Sequence, residues 1–532
     1  MATGQPRVLT VELNHMLQDN KSAIVALGVS ALVTALCYAL LNHAVFKKKN
    51  IAPFPPGPKK VFVLGNALDL PRSRPWLTFA EWAKSYGPIV HLGVFGKDII
   101  ILNDFKYAKD MLDRKSQIYS NRPNLVMAGE LIGWDESPGL IQFGRKEWSE
   151  YRRLIAQFLG TRLKVETTYS DLLETTTRSF LYGLLHTPDT WKEHGCRFTA
   201  SIVLKLTYGY PVKDEQDPLV KLVDNAMNQF SELTGANAFA VDTFPFLRYI
   251  PQWFPRAGWK RKIGPYRIAL QAMLDTPYDW VKEQMQVGSS LPCVVTDLLD
   301  SHQYTNLEAE RILKWTAAGI YGGGAETTAA VIETFFLAMV LHPDAQRKAQ
   351  AELDIVLGSC TVPRLPDRSR LPFVEALIWE VFRKYPIAPL GLPHSAAMDD
   401  RHDGFFIPKD AIIITNNWLF CRHPDTYSNP DLFQPERFID TPTHAKEKDP
   451  KDILFGYGRR ACPGIHLADM SLWLLFASIL AFFDISAPVE NGRLVFPSGR
   501  FLDGSISHPE EFKCTITARK GAAEVIRGLV DT

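Results

Sequence analysis

Hydrophobic and polar positions divide the chain into an apolar front, a proline-rich joint and a long remainder patterned mainly for helix. From Ser22 to Leu41 the run SAIVALGVSALVTALCYALL carries no charge. At about 1.5 Å per residue it spans the roughly 30 Å hydrocarbon core of a bilayer, which predicts one transmembrane helix. A cleaved signal has a shorter apolar region and a small-residue cleavage site, whereas Lys47, Lys48 and Lys49 follow this run as a stop-transfer signal. With Lys59 and Lys60 they outnumber Arg7 and Lys21 ahead of the span, which puts residues 1–21 in the lumen and the bulk of the chain in the cytosol. The alternative is a buried core helix, but nothing before residue 50 is there to cover it. Residues 42–58 form the joint. Its stretch Ile51-Ala52-Pro53-Phe54-Pro55-Pro56-Gly57-Pro58 is too rich in proline for helix and reads as a semi-rigid hinge.

After the hinge, short β-type runs at Ile89–Leu92 and Ile99–Leu102 flank Phe95-Gly96-Lys97 and predict a hairpin. Helical spacing then dominates, at Ala108–Leu112, Lys146–Leu159, Asp217–Leu233, Asn306–Leu341 and Leu371–Lys384. Extended pieces return at Ile412–Asn416 and Lys513–Thr517. No repeat and no further shift of composition appears. A length of 532 residues would accommodate roughly three average domains, but the pattern predicts one large, mostly helical domain with a small β region over residues 59–532.

Composition changes this picture only by exclusion. Apolar residues make up 46% and charged residues 22%, a profile that rules out a disordered chain. Lys and Arg total 59 against 58 Asp and Glu, so there is no cationic surplus of the kind nucleic-acid binding needs. The seven cysteines are scattered, with no CxxC pair; neither a disulfide scaffold nor a zinc ribbon fits, and most read as small buried hydrophobes.

One cysteine has a different setting. Phe455-Gly456-Tyr457-Gly458-Arg459-Arg460-Ala461-Cys462-Pro463-Gly464 precedes the apolar run Ile465–Phe483. A cysteine just ahead of a helix meets the positive end of the macrodipole and unpaired N–H groups, which predicts a lowered pKa and a thiolate. A structural cysteine in a glycine-rich turn is the plain alternative. A relaxed dinucleotide fingerprint lacks the βαβ unit that would support it. A second unusual segment is Gly322-Gly323-Gly324-Ala325-Glu326-Thr327-Thr328, midway along the Asn306–Leu341 run. Each helical glycine costs roughly 0.8–1 kcal/mol relative to alanine. The three predict either a kink that opens a groove, with Glu326 and Thr327 placed to handle protons, or a loop between two helices.

The pattern Phe-x-x-Gly-x-Arg-x-Cys-x-Gly, filled by Phe455, Gly458, Arg460, Cys462 and Gly464, resembles the haem-ligand loop of cytochrome P450. Glu380-Val381-Phe382-Arg383 and Pro435-Glu436-Arg437-Phe438 are similar to that family's ExxR and PERF segments, and Gly323 to Thr328 to its distal helix motif. The resemblance implies the cytochrome P450 fold behind the transmembrane helix, with heme b as cofactor and Cys462 as the iron ligand. It implies that Phe455 shields the sulfur, and that Trp148, Arg152, His394 and Arg460 hold the propionates. Glu380, Arg383 and Arg437 would lock the fold, while Thr327 and Glu326 would deliver protons to bound O2.

The implied activity is that of a monooxygenase in the endoplasmic reticulum membrane, taking electrons from NADPH through a separate cytochrome P450 reductase. Lys448, Lys451 and Arg459 are candidate docking residues for that partner. The substrate contacts it implies are Leu125, Val126, Met127, Leu131, Ile132, Ala317, Ile320, Ile387, Ala388, Leu390, Phe501 and Leu502. That apolar set suits a hydrophobic small molecule. The C-terminal wording looks most like fungal microsomal members of secondary metabolism, with a terpenoid substrate ahead of an aromatic or indole alkaloid. A P450-type isomerase or dehydratase and a non-catalytic haem-binding protein are the other classes.

Overall fold

The computed structural model describes residues 52–214, 216–235, 239–301 and 306–529, with Ser30, Thr34 and Tyr38 as isolated helical positions. The lumenal segment 1–21, the anchor 22–41 and the hinge before residue 52 therefore lie outside the described residues, apart from those three positions. Contacts divide the chain into two units. One comprises Met1–Phe54 with Arg401–Phe406; the other comprises Pro55–Asp400 with Ile407–Thr532. In the first, the Phe406 N–H donates to the Pro53 carbonyl at 2.7 Å and the Phe54 and Phe406 rings meet edge to face.

The second unit carries the site. It opens with α1 (Pro75–Tyr86) and the antiparallel pair β1 (Ile89–Val94) and β2 (Lys97–Leu102). Phe95 and Gly96, both at positive φ, form the two-residue hairpin turn, and Lys97 begins the return strand. The helical body follows as α2 (Lys146–Leu159), α3 (Arg162–His186), α4 (Trp191–Tyr208), α5 (Pro218–Thr234), α6 (Ile263–Gln286), α7 (Leu307–Leu341), α8 (Pro343–Leu357) and α9 (Pro372–Lys384). After β3 (His394–Ser395) and β4 (Ile412–Thr415) come α10 (Ile465–Phe482), β5 (Phe483–Ser486) and β6 (Thr515–Ala518). The main sheet has the order β1-β2-β4-β3, with β4 parallel to β2 and β3 antiparallel to β4.

The helices form where the apolar spacing puts them. On α2 the buried residues Tyr151, Leu154, Ile155, Phe158 and Leu159 make one stripe. The Asn306 side chain caps α7 by accepting the Ala309 N–H at 2.9 Å, with Glu308 and Glu310 in the first turn. Both α7 and α10 are long and apolar enough to cross a membrane, yet both are mostly buried. They are the core helices. Phe335 of α7 stacks on Phe476 of α10 at 4.0 Å, and Phe336 stacks on Trp191 of α4 at 4.5 Å.

The triple glycine does not break α7, which runs helically from Leu307 to Leu341; the loop alternative is set aside. A Cβ on Gly324 would lie 2.7 Å from Val203 Cγ1 of α4, and one on Gly322 would lie 2.8 Å from Met227 Sδ of α5. These two glycines let neighbouring helices approach. Gly323 is different, being exposed with nothing within 4 Å of its Cβ position.

Glu380 and Arg383 are fully buried, bonded at 2.7 and 2.8 Å. Burial of an ion pair is costly unless its remaining groups are satisfied, and here they are. Arg383 donates to the carbonyls of Cys421, Pro430 and Leu432, and Glu380 accepts the Gln434 N–H at 2.7 Å. Arg437 brings Nε within 3.2 Å of Glu380, outside hydrogen-bonding alignment, and gives Nη1 to Glu447 at 2.8 Å.

Candidate active site

The loop from Phe455 to Gly464 is folded by its own backbone. Cys462 N–H donates to the Phe455 carbonyl at 2.7 Å, Arg460 N–H to Tyr457 at 3.0 Å and Ala461 N–H to Gly458 at 3.2 Å. Gly458 has φ +49°, and a Cβ there would come within 2.3 Å of the Leu112 carbonyl oxygen; its N–H is bound by the Asp113 carboxylate. Only glycine fits this position. Behind the loop, the Phe455 ring meets Phe382 of α9 edge to face at 6.4 Å, which ties it to the helix of the buried ion pair.

The loop delivers Cys462 to the N-terminal end of α10, where the Gly464 N–H bonds its sulfur. Cys462 keeps an exposed surface although it lies deep among protein atoms. Burial raises its thiol pKa, and the Gly464 N–H and Arg152 only partly oppose this. The expectation of a lowered pKa from the helix end alone is corrected: the protein by itself favours the thiol.

Three guanidiniums gather around this loop. Arg152 of α2 donates to the Ala461 carbonyl at 2.7 Å. Arg460 donates to Ser120 at 2.8 Å and lies 5.7 Å over the Trp148 ring. Arg122, not singled out in the sequence, donates to Leu392 at 2.7 Å and to Pro393 at 2.8 Å. Among the described residues none of the three has a carboxylate partner. Burial lowers the Arg122 pKa to about 10, while burial and repulsion from Arg122 and Arg152 lower that of Arg460 to about 9. His394, on β3, donates from Nδ1 to the Tyr119 carbonyl at 2.7 Å, and burial with Arg122 and Arg460 keeps it neutral. The buried indole N–H of Trp148 has no partner among the described residues.

On α7, Thr327 donates to the Gly323 carbonyl at 2.8 Å, one turn back, so its hydroxyl stands beside the open glycine face. Burial raises the carboxyl pKa of Glu326; His508 opposes this and Asp224 adds to it. Of the expected substrate contacts, Val126, Met127, Ile132, Ala317 and Ile320 belong to the main core, with Leu125, Leu131, Ile387 and Phe501 packed against it. The stretch after α9 and the late turn do meet, through Tyr385 stacked on Phe501 and through the Ile387 carbonyl, which accepts the Ser507 N–H. The Ala388 carbonyl accepts from Gly391 and Asn417. Leu390 packs with the β1–β2 cluster instead, and Leu502 is 51% exposed. The sequence also missed Asp242, whose carboxylate accepts the Met127 N–H at 2.8 Å and fixes the 126–132 turn.

Lys451 is corrected as a docking residue: it is largely buried, bound to Asp469 at 2.8 Å, and lies over Trp379. Lys448 pairs with Asp452 and lies over Phe105, leaving Arg459 the more exposed of the three.

Comparison with known proteins gives the class first. The family model described as Cytochrome P450 matches residues 55–515. The chain belongs to the cytochrome P450 family. It is 42% identical over 499 residues to cytochrome P450 monooxygenase 208 of Postia placenta, covering 94% of this chain and 96% of that one. It is 40% identical over 509 residues to cytochrome P450 monooxygenase claR of Ampulloclitocybe clavipes (95% and 92%), and 37% identical over 497 residues to ppsD of Aspergillus oryzae (92% and 94%). The chain is thus a cytochrome P450 monooxygenase of fungal type.

The family implies a haem, and the residues present fit one. A largely buried group of guanidiniums without carboxylate partners among the described residues suits two propionate carboxylates, the Trp148 N–H would offer a further donor, and Cys462 would supply an iron ligand that metal binding deprotonates.

Proposed function

We propose that this protein inserts one oxygen atom from O2 into a hydrophobic small molecule of fungal secondary metabolism, a terpenoid ahead of an aromatic or indole alkaloid. Electrons come from NADPH through a separate membrane-bound reductase, and the uncharged run Ser22–Leu41 anchors the enzyme in the endoplasmic reticulum membrane with its catalytic domain in the cytosol. Bound haem supplies the oxygen chemistry. Cys462 would hold the iron, and Trp148, Arg122, Arg152 and Arg460 would hold the propionates; His394 would join them by taking up a proton at Nε2 once a propionate's charge offsets the neighbouring guanidiniums. The apolar side chains from Val126 to Ile132 and from Ala317 to Ile320 would exclude water and orient the substrate. Glu326, kept protonated more readily by burial, passes a proton to Thr327, whose hydroxyl presents it beside Gly323.

The observation that carries this reading is the Glu326–Thr327 pair next to the open glycine face of α7. An isomerase or dehydratase needs no such proton delivery, and a haem-binding protein without catalysis needs neither residue. Co-expression with a reductase, followed by mass spectrometry on a panel of terpenes and aromatic amines, should give an NADPH-dependent product heavier by one oxygen atom. Conversion without NADPH or oxygen uptake would overturn the proposal. Thr327→Ala should raise peroxide released per NADPH, and unchanged coupling would remove Thr327 from the proton path.

A further inference from the structure

Titratable side chains from several elements converge along the second half of α7. Glu326 and Glu333 stand seven residues apart, two helical turns, and so share a face. His508 comes to that face from the late turn and donates from Nδ1 to Glu333 Oε1 at 3.3 Å. Its backbone is pinned, since the Leu502 N–H donates to the His508 carbonyl at 2.8 Å and the Ser507 N–H to Ile387 at 2.7 Å. The ring is therefore held in place, and Nε2, on its far side, has no protein hydrogen bond among the described residues. The Glu326 carboxyl feels both His508 and Asp224 of α5. Cys196 of α4 feels Asp224, Glu333, Glu193 and Lys192. Asp224 and Cys196 keep exposed surface although burial raises the pKa of both, so water meets the group in a recess at this end, with Glu326 at the other.

An acid with only 16% of its side chain exposed, on a helix whose buried residues in this half are otherwise alanine, threonine and large apolar side chains, needs a partner. The Glu326–Thr327 pair accounts for neither Glu333 nor His508. Burial alone would lower the His508 pKa, and Glu333 and Glu326 outweigh it while Lys192 acts with burial; the net direction is up. The imidazolium is thereby populated closer to neutral pH.

We propose that His508, held by Glu333, is a positioning residue that relays solvent protons to Glu326. The inference rests on the proton-handling role given to Glu326 above. In each step the imidazolium releases the Nε2 proton, carried through intervening water, to a carboxylate oxygen of Glu326 and becomes neutral. It regains a proton at Nε2 from water at the Asp224–Cys196 mouth. Glu333 keeps the Nδ1–H in place throughout. Insertion of one oxygen atom with release of one water consumes two protons per turnover, so the relay cycles twice.

The test uses the full-length holoenzyme with a reductase. The first readout is independent of turnover: the pH dependence of His508 carbethoxylation by diethyl pyrocarbonate, followed by peptide mass spectrometry. Its midpoint should fall in Glu333→Gln and, less far, in Glu326→Gln; an unmoved midpoint in both overturns the coupling. In His508→Gln, peroxide per NADPH should rise severalfold, with the substrate dissociation constant and haem content unchanged. The pH profile of coupling should lose its histidine inflection. The double variant with Glu326→Gln should be no less coupled than Glu326→Gln alone. If Glu326→Gln uncouples and His508→Gln does not, the relay is wrong and the role of Glu326 stands. If neither uncouples, the reading of Glu326 itself fails.

Discussion

Replacing the three glycines of α7 one at a time with alanine should separate packing from open space. In each case alanine gains roughly 0.8–1 kcal/mol of helix propensity; what differs is the neighbour. At Gly323 nothing lies within 4 Å of the new methyl, so Gly323→Ala should stabilise the fold by about 1 kcal/mol. At Gly324 the methyl would stand 2.7 Å from Val203 Cγ1. Valine is stiff at χ1, and overpacking costs about 1–3 kcal/mol, so the net effect runs from nil to a loss of roughly 2 kcal/mol. At Gly322 the obstacle is Met227 Sδ at 2.8 Å, the end of a flexible side chain, and the result should fall between the other two. Urea denaturation followed by far-ultraviolet circular dichroism measures the order, read as midpoint shifts at constant slope. Because the Gly323 face adjoins Thr327, Gly323→Ala should also alter substrate turnover while raising stability. If it destabilises as much as Gly324→Ala, the face is not open and the reasoning is refuted.

Other outcomes follow from the polar networks. Burial opposes ionisation of Asp469, but Arg368 at 2.6 Å and Lys451 at 2.8 Å overcome it and hold its carboxyl at about 2. Against an unfolded value near 3.9, this is about 2–3 kcal/mol of stability that is present above about pH 4 and lost as pH falls through about 2. Asp469→Asn should be less stable at neutral pH with a flatter acid limb in pH-dependent melts; an unchanged limb would count against the network. Glu380→Gln leaves Arg383 buried without its counter-charge and should cost about 3–5 kcal/mol by the same denaturation assay. Arg122→Leu should lower the haem retained per protein after purification, while Cys462→Ala should abolish the thiolate-type carbon monoxide spectrum of the reduced protein.

Elements set by local pattern were legible in the sequence. The stripe on α2 and the hairpin at Phe95-Gly96 are decided by neighbours within a few residues, and the structure has them at the expected places. What was not legible depends on residues far apart in the chain. Arg122 lies in a short irregular stretch, and only packing brings it within electrostatic reach of Arg460. Glu447 becomes a partner of Arg437, and Asp469 takes Lys451 out of the exposed surface, with no periodicity to announce either. The thiol of Cys462 shows the same division. Its position before a helix argued for a lowered pKa, but burial, a property of the whole fold, decided the direction.

The pairing of β2 with β4 has a consequence for how the chain is made. Ile99, Ile100, Ile101 and Leu102 are synthesised early, yet their parallel neighbours Ile412, Ile413, Ile414 and Thr415 emerge about 310 residues later. At about 5–20 residues per second the ribosome needs roughly 15–60 s to supply them. For that interval the nascent chain carries an apolar strand with one edge unsatisfied, a natural target for a chaperone or for another nascent copy. Translation speed between the two strands, and not only the final stability of the enzyme, would then set how much of it reaches the folded state.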